Sequence, residues 1–376
     1  MQLPSRVVHA EEARARFGDL LDRLTPWLLV EDPLADAVVA EIGGRWEVFR
    51  RALEGGTDAS TPPSVRALLE AHSHVPLWVD GARADRGGRL FFRSGLVGAV
   101  VLGARSLVSG YCSPAGNKPL AMTGTLEKAG ARRLAETGRY VAAVSSPGGL
   151  LPGAEGWRIS LRVRLMHAHV RRLLHRSGRW RTSDWGAPIN QHDMLATSLL
   201  FSAVWVDGVR RLGVGVTIAE AEDHLHLWRW ASWLMGVRLE LLPDTEARAQ
   251  ELMALIEATQ GDPDDDARRL AARLLQPPEG GGRGARPVAL ELAQGLCYGL
   301  LPRRWADGLG LPRTPWRHAV SLSRLAVAPA ELARRVSPAF EDQMVRFGVR
   351  HWEQAVASGL RGGSPAYQPP TGLAEH

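Results

Sequence analysis

The residues best placed to do chemistry lie in one stretch, WRISLRVRLMHAHVRRLL, from Trp157 to Leu174. Its composition is helical, and no Pro or Gly interrupts it. At a 3.6-residue period Val163, Arg164, His167, Val170, Arg171 and Leu174 fall on one side. His167 therefore sits in a partly apolar stripe, with an arginine one turn before it and another one turn after. Two guanidinium groups beside an imidazole repel a bare divalent cation. They suit a cofactor that carries its metal at the centre and carboxylates at the edge. Haem is such a cofactor: a histidine can be its axial ligand, and arginines can pair with its propionates. The same spacing also describes an ordinary histidine, buried or exposed, on a basic helix.

Other histidines compete for a ligand role. His192 lies in a polar first turn and His224 beside acids, so each reads as an exposed or hydrogen-bonded residue. His224 and His226, two apart, point about 200° from one another on a helix and cannot share a metal there. Cys112 and Cys297 are far apart in sequence, and neither has a CxxC neighbour. They read as reduced thiols, and they exclude both a disulfide scaffold and covalent haem attachment through CxxCH. The acidic run DPDDD lacks the alternating ligands, central Gly and terminal Glu of a calcium loop.

A second polar constellation runs from Glu127 to Ala143. Gly130, Arg133, Glu136, Thr137 and Tyr140 share adjoining faces of a predicted helix. Small residues there leave room, while Arg133 and Thr137 offer donors. The same pattern is met by a surface helix with an Arg–Glu pair at i,i+3, worth only about 0.2–0.5 kcal/mol.

Helices must position these groups. Residues 11–53 read as helices broken near Pro26 and Pro33. SGLVGAVVLGARSLVSGY, Ser94 to Tyr111, reads as a buried helix whose small residues permit close approach. Beyond the His167 stretch, Pro188 near a first turn opens a long helix that Gly213 stops. IAEAEDHLHLWRWASWLMGV follows as another helix, with Trp228, Trp230 and Trp233 supplying buried area. Strand signals are weak throughout, so the predicted fold class is all-α. QPPEGGGRGARP reads as a linker, residues 287–360 as a C-terminal helical cap, and the tail 361–376 as disordered. No internal repeat is present, and the whole chain, 1–376, reads as a single domain with its core at about 30–245.

The 376 residues are 45% hydrophobic and 23% charged, an ordinary globular balance. The net charge of +6 is carried by arginine, Lys118 and Lys128 being the only lysines. The arginines are spread through amphipathic helices and interleaved with acids, and no recognised DNA- or RNA-binding motif occurs, so a nucleic-acid partner is not expected. No apolar run reaches the length of a membrane span. The N-terminus has neither an apolar h-region nor a twin-arginine start, so a cytoplasmic location is expected. Oligomeric state is not encoded in any pattern.

Arg164-x-x-His167-x-x-x-Arg171 resembles the haem-binding motif of the latex clearing protein (rubber oxygenase) family, which includes the fungal oxygenase that cleaves the farnesyl chain in mycophenolic acid synthesis. VPLWVD at Val75 to Asp80, RRLAETGRYV at Arg132 to Val141 and GAPINQHDMLAT at Gly186 to Thr197 resemble further segments of the same family, in order. The resemblance covers roughly residues 30–245. It implies a globin-like helical core holding haem b between the Arg133–Thr137 helix and the His167 helix. It implies His167 as iron ligand and Arg164 and Arg171 as residues that assist the propionates or hold the helix. It places Arg133, Glu136 and Thr137 on the distal side, where O2 and an apolar substrate meet. The implied activity is oxidative C=C cleavage, on an isoprenoid or another alkene. Glu136 falls where the rubber oxygenases carry a lysine able to fill the sixth coordination site. The rubber-degrading relatives are typically exported, whereas nothing read at this N-terminus marks it for secretion. The alternative is a haem sensor or carrier that keeps the fold and turns over nothing.

Overall fold

The helical periodicity read from the sequence is realised along the chain. The computed structural model describes residues 3–276, 285–360, 370 and 372–374, and within these the side chains of 125–133 and 285 are not described. Among the described residues there are helices and turns and no strand, so the chain is all-α as expected. Residues 277–284 of the linker expected at 276–287 and most of the tail from 361 onward lie outside the described residues, while the last three residues of that linker are already helical, in Ala285–Leu300.

Two helices carry the candidate chemistry, Thr125–Ser145 and Glu155–Arg176. The second has Glu155 in its first turn and His175 and Arg176 in its last, which complements the helix dipole. Its buried positions, Trp157, Ser160, Leu161, Arg164, Leu165, Ala168 and Arg171, recur at i+3 and i+4 and form one wide inward face. The segment Gly81–Arg93 crosses the Trp-rich helix Ile218–Leu234 so closely that a Cβ on Gly87 would overlap the Asp223 carbonyl. Trp228 and Trp230 are buried and Trp233 is half-buried. Thr217 and Glu220 close a capping box at the start of that helix. The long helix Pro338–Leu360 packs across Thr125–Ser145, with Trp352 filling the space that Gly138 leaves open.

The helix expected from about Pro188 to Gly213 differs in two respects. It begins at Gln191, because Ile189 takes a left-handed φ of 51° and Asn190 then caps the Asp193 N–H at 2.9 Å. It also breaks at Ser202 into Gln191–Phe201 and Ala203–Arg211. The Ser202 hydroxyl bonds back to the Ser198 carbonyl at 2.8 Å, and the Phe201 carbonyl faces His224 Nε2 at 3.1 Å instead of continuing the helix. A side chain from another element thus satisfies the group that the break frees. Gly213, with φ 104°, lies just past the second piece as expected.

Candidate functional site

The two chemistry-bearing helices form an antiparallel hairpin whose closed end is fixed by glycine. Gly149 and Gly156 both lie against the Ala143 carbonyl, and a Cβ on Gly156 would come within 2.9 Å of it. Just beyond, buried Tyr140 hydrogen-bonds Ser160, and burial pushes its phenol up to about 12. From this pair both helices run seven residues, about 10 Å at 1.5 Å per residue, to Arg133 on one and His167 on the other. His167 and the backbone of Arg133 therefore lie at one level. Glu136 and Thr137 lie within a turn of that level. His167, Glu136 and Thr137 are all half-buried. The Arg133 side chain lies outside the described residues.

Arg164 and Arg171 share the His167 helix but are engaged elsewhere. Arg164 makes a bidentate pair with Asp32, Nε to Oδ2 at 2.6 Å and Nη2 to Oδ1 at 2.9 Å, and both side chains are buried. Its Nη1 donates to His72 Nε2 at 2.9 Å. The other ring nitrogen of His72 donates to the Leu68 carbonyl at 2.7 Å, so His72 is the neutral Nδ1–H tautomer. Gly236, with φ 91°, passes this pair so closely that a Cβ there would lie 2.6 Å from Arg164 Nε. Arg171 donates from Nε to Asp36 at 2.8 Å and from Nη1 to the carbonyl of strained Ile189 at 3.1 Å. Asp32 and Asp36 belong to the helix Pro33–Ile42 and its N-cap, so one buried ion pair and one half-buried pair clamp that helix to the His167 helix.

Burial pushes both carboxyls up, but by different balances. At Asp32 the hydrogen bonds and charge of Arg164 outweigh burial, and its carboxyl titrates below the ordinary range. At Asp36 burial outweighs Arg171 and the carboxyl is raised. His72 is held down to about 4, first by burial and then by the Arg164 charge. Its depressed folded value means the unfolded chain binds the extra proton. The stability it contributes is complete above pH 6.5 and is lost as pH falls toward 4. At 1.36 kcal/mol per unit this is about 3 kcal/mol at full titration. We expect the denaturant midpoint to fall across that window, and His72→Gln to flatten the fall. An unchanged pH profile in His72→Gln would show that another group governs it.

The competing histidines are all committed. His224 is buried, with its two ring nitrogens 3.1 Å from the Gly87 and Phe201 carbonyls, and burial holds it down to about 4. His226 accepts from the Asp80 N–H at 2.9 Å and thereby anchors the WVD segment, with Trp78 edge-on to its ring. His192 is buried beside Asp193, whose carboxylate is held by the two terminal nitrogens of the Arg6 guanidinium at 2.7 and 2.8 Å. His169 packs edge-on to Trp46, and its Nε2 meets the Pro370 carbonyl at 2.9 Å. The sequence reading missed Asp32, Asp36, His72 and Gly236 as partners of the motif. Two buried arginines do require buried acceptors, but nothing local says which acids supply them.

Among the described residues no group of three or more His, Cys, Asp or Glu side chains could hold a bare metal ion. A single histidine suits a cofactor that brings its own in-plane ligands and needs one more from the protein.

The family described as ER-bound oxygenase mpaB/B′ and rubber oxygenase, catalytic domain, matches residues 92–330. The chain belongs to that family. The matched span contains the hairpin, the motif of Arg164, His167 and Arg171, and the GAPINQHD segment. The rubber oxygenase of Streptomyces sp. (strain K30) is 27% identical over 264 residues, which are 68% of this chain and 60% of that protein. The chain thus spans about 60% of the length of that relative. The closed-state structure of latex clearing protein superposes with a TM-score of 0.68 at 22% identity, covering 86% of this chain and 91% of the other. Rubber oxygenase family membership accounts for the all-helical fold and for the ordered series of segments along the sequence.

Proposed function

We propose that this chain is a haem b-dependent oxygenase that uses O2 on an apolar substrate carrying a C=C bond, an isoprenoid chain being the favoured class. The observation that carries the proposal is the hairpin register: in a member of an oxygenase family, His167 stands level with Arg133 and within a turn of Glu136 and Thr137 on the facing helix. Bound between these helices, haem would supply iron-centred oxygen chemistry. His167 would ligate the iron through its imidazole. Arg164 and Arg171, paired with Asp32 and Asp36, would hold the rotation of the helix that presents it. Arg133 and Thr137 would donate hydrogen bonds on the oxygen side, and Glu136 would hold or move a proton there.

Freshly purified protein, expressed with ample haem supply, is expected to show a Soret band, and acidified organic solvent should extract the pigment. Oxygen uptake with alkene substrates should follow. A coloured protein that consumes no oxygen with any of them would favour the sensor or carrier reading, and a colourless one that no haem titration reconstitutes would end both. Within an active enzyme, Glu136→Gln should keep its haem and lose about 10²–10⁴-fold in turnover if the carboxyl moves a proton. Thr137→Ala should also keep haem and turn over more slowly. Unchanged turnover in both would remove this face from the chemistry.

A further inference from the structure

The helix Ala319–Val336 lies on the protein with one face and leaves the opposite face bare. Glu331 is buried, and Val320, Val327 and Arg334 on the same side are partly so. Leu322, Leu325, Leu332 and Val336 are exposed by 63, 74, 65 and 77%. At 100° per residue these four fall within an arc of about 80°, roughly opposite the buried side. Fourteen residues separate the first from the last, a ridge about 21 Å long. Arg324 and Arg335 are exposed between the ridge and the buried side, about 60–80° round the helix from the nearest ridge residue, and neither makes an ion pair among the described residues. The single acid of this helix, Glu331, is turned inward and bonded to Arg334 at 2.9 Å.

We infer that this ridge docks on the surface of a bilayer containing anionic lipids, with the helix lying in the interface plane. Large aliphatic side chains spaced for one face, with arginines able to snorkel at its border, are the chemistry such a surface takes. A second copy of the chain fits less well. The ridge offers on the order of 500 Å², against about 800 Å² per partner in a stable dimer. The docking inferred is peripheral; no single helix among the described residues is long and apolar enough to cross a membrane. The inference does not depend on haem or on the proposed reaction.

The test is co-sedimentation of the full chain with phosphatidylcholine vesicles, with and without phosphatidylglycerol. Binding is expected to the anionic vesicles, weakening with added salt. Leu325→Asp with Leu332→Asp should weaken it by about tenfold or more. Arg324→Ala with Arg335→Ala should weaken it about fivefold per arginine on anionic vesicles. All four positions are exposed, so circular dichroism should show the helical fold retained. Absence of binding to anionic vesicles at low salt would overturn the inference. So would binding indifferent to both double variants, or a dimer in solution that the leucine substitutions dissociate.

Discussion

His167→Ala is expected to yield a folded protein that has lost its haem, or holds it with a strongly shifted Soret band. His169→Ala, two residues on, should retain both pigment and spectrum. The two histidines project from different sides of one helix. His169 is occupied by Trp46 and the Pro370 carbonyl, whereas His167 stands on the hairpin level with the facing polar residues. In the proposed reading His167 would ligate the iron, and alanine has nothing to offer in its place. His192→Ala and His224→Ala serve as further controls, since each ring is already committed within the fold. Haem retained by His167→Ala and lost from any of the other three would reassign the ligand. Acid-solvent extraction and the reduced and oxidised spectra of the four variants decide it.

Arg164→Ala is expected to destabilise the chain by about 3–5 kcal/mol, the cost of stranding a buried carboxylate. Asp32 is 7% exposed and Arg164 5%. Their bidentate contact is the rung that ties the Pro33–Ile42 helix to the His167 helix. Asp32→Ala should cost a similar amount, because it strands the guanidinium beside neutral His72. The double variant Asp32→Leu with Arg164→Met should recover much of the loss, since apolar packing of similar volume often replaces a buried ion pair at little cost. Gly236 lines the same contact and forbids a larger residue there. Chemical denaturation of the apoprotein reads these effects separately from haem. If Arg164→Ala leaves apoprotein stability unchanged and weakens haem retention instead, the arginine serves the cofactor and not the helix clamp.

The sequence alone determined the class of the fold, because its apolar residues recur at helical spacing over nearly every segment and strand-forming alternation is absent. It also singled out the stretch Trp157–Leu174. The ordered segments around His167 pointed to a family, and residues 92–330 match it. Only the tertiary structure decided what the two motif arginines touch. A helical wheel puts Arg164, His167 and Arg171 on one side, but a 100° step cannot say whether a guanidinium meets a cofactor edge or a carboxylate from another element. Asp32 and Asp36 lie more than a hundred residues away, and the first looks locally like a helix cap, which it also is. The break at Ser202 was hidden for the same reason. The Phe201 carbonyl at the break is satisfied by His224 from a different helix, and no local propensity encodes a partner supplied by packing. The level of His167 against Arg133, Glu136 and Thr137 was likewise set by two glycines at the hairpin base, whose close approach to the Ala143 carbonyl fixes how the helices slide past one another. Spacing along the chain chose the candidate groups, and long-range contacts between buried charges and bare backbone chose their orientation.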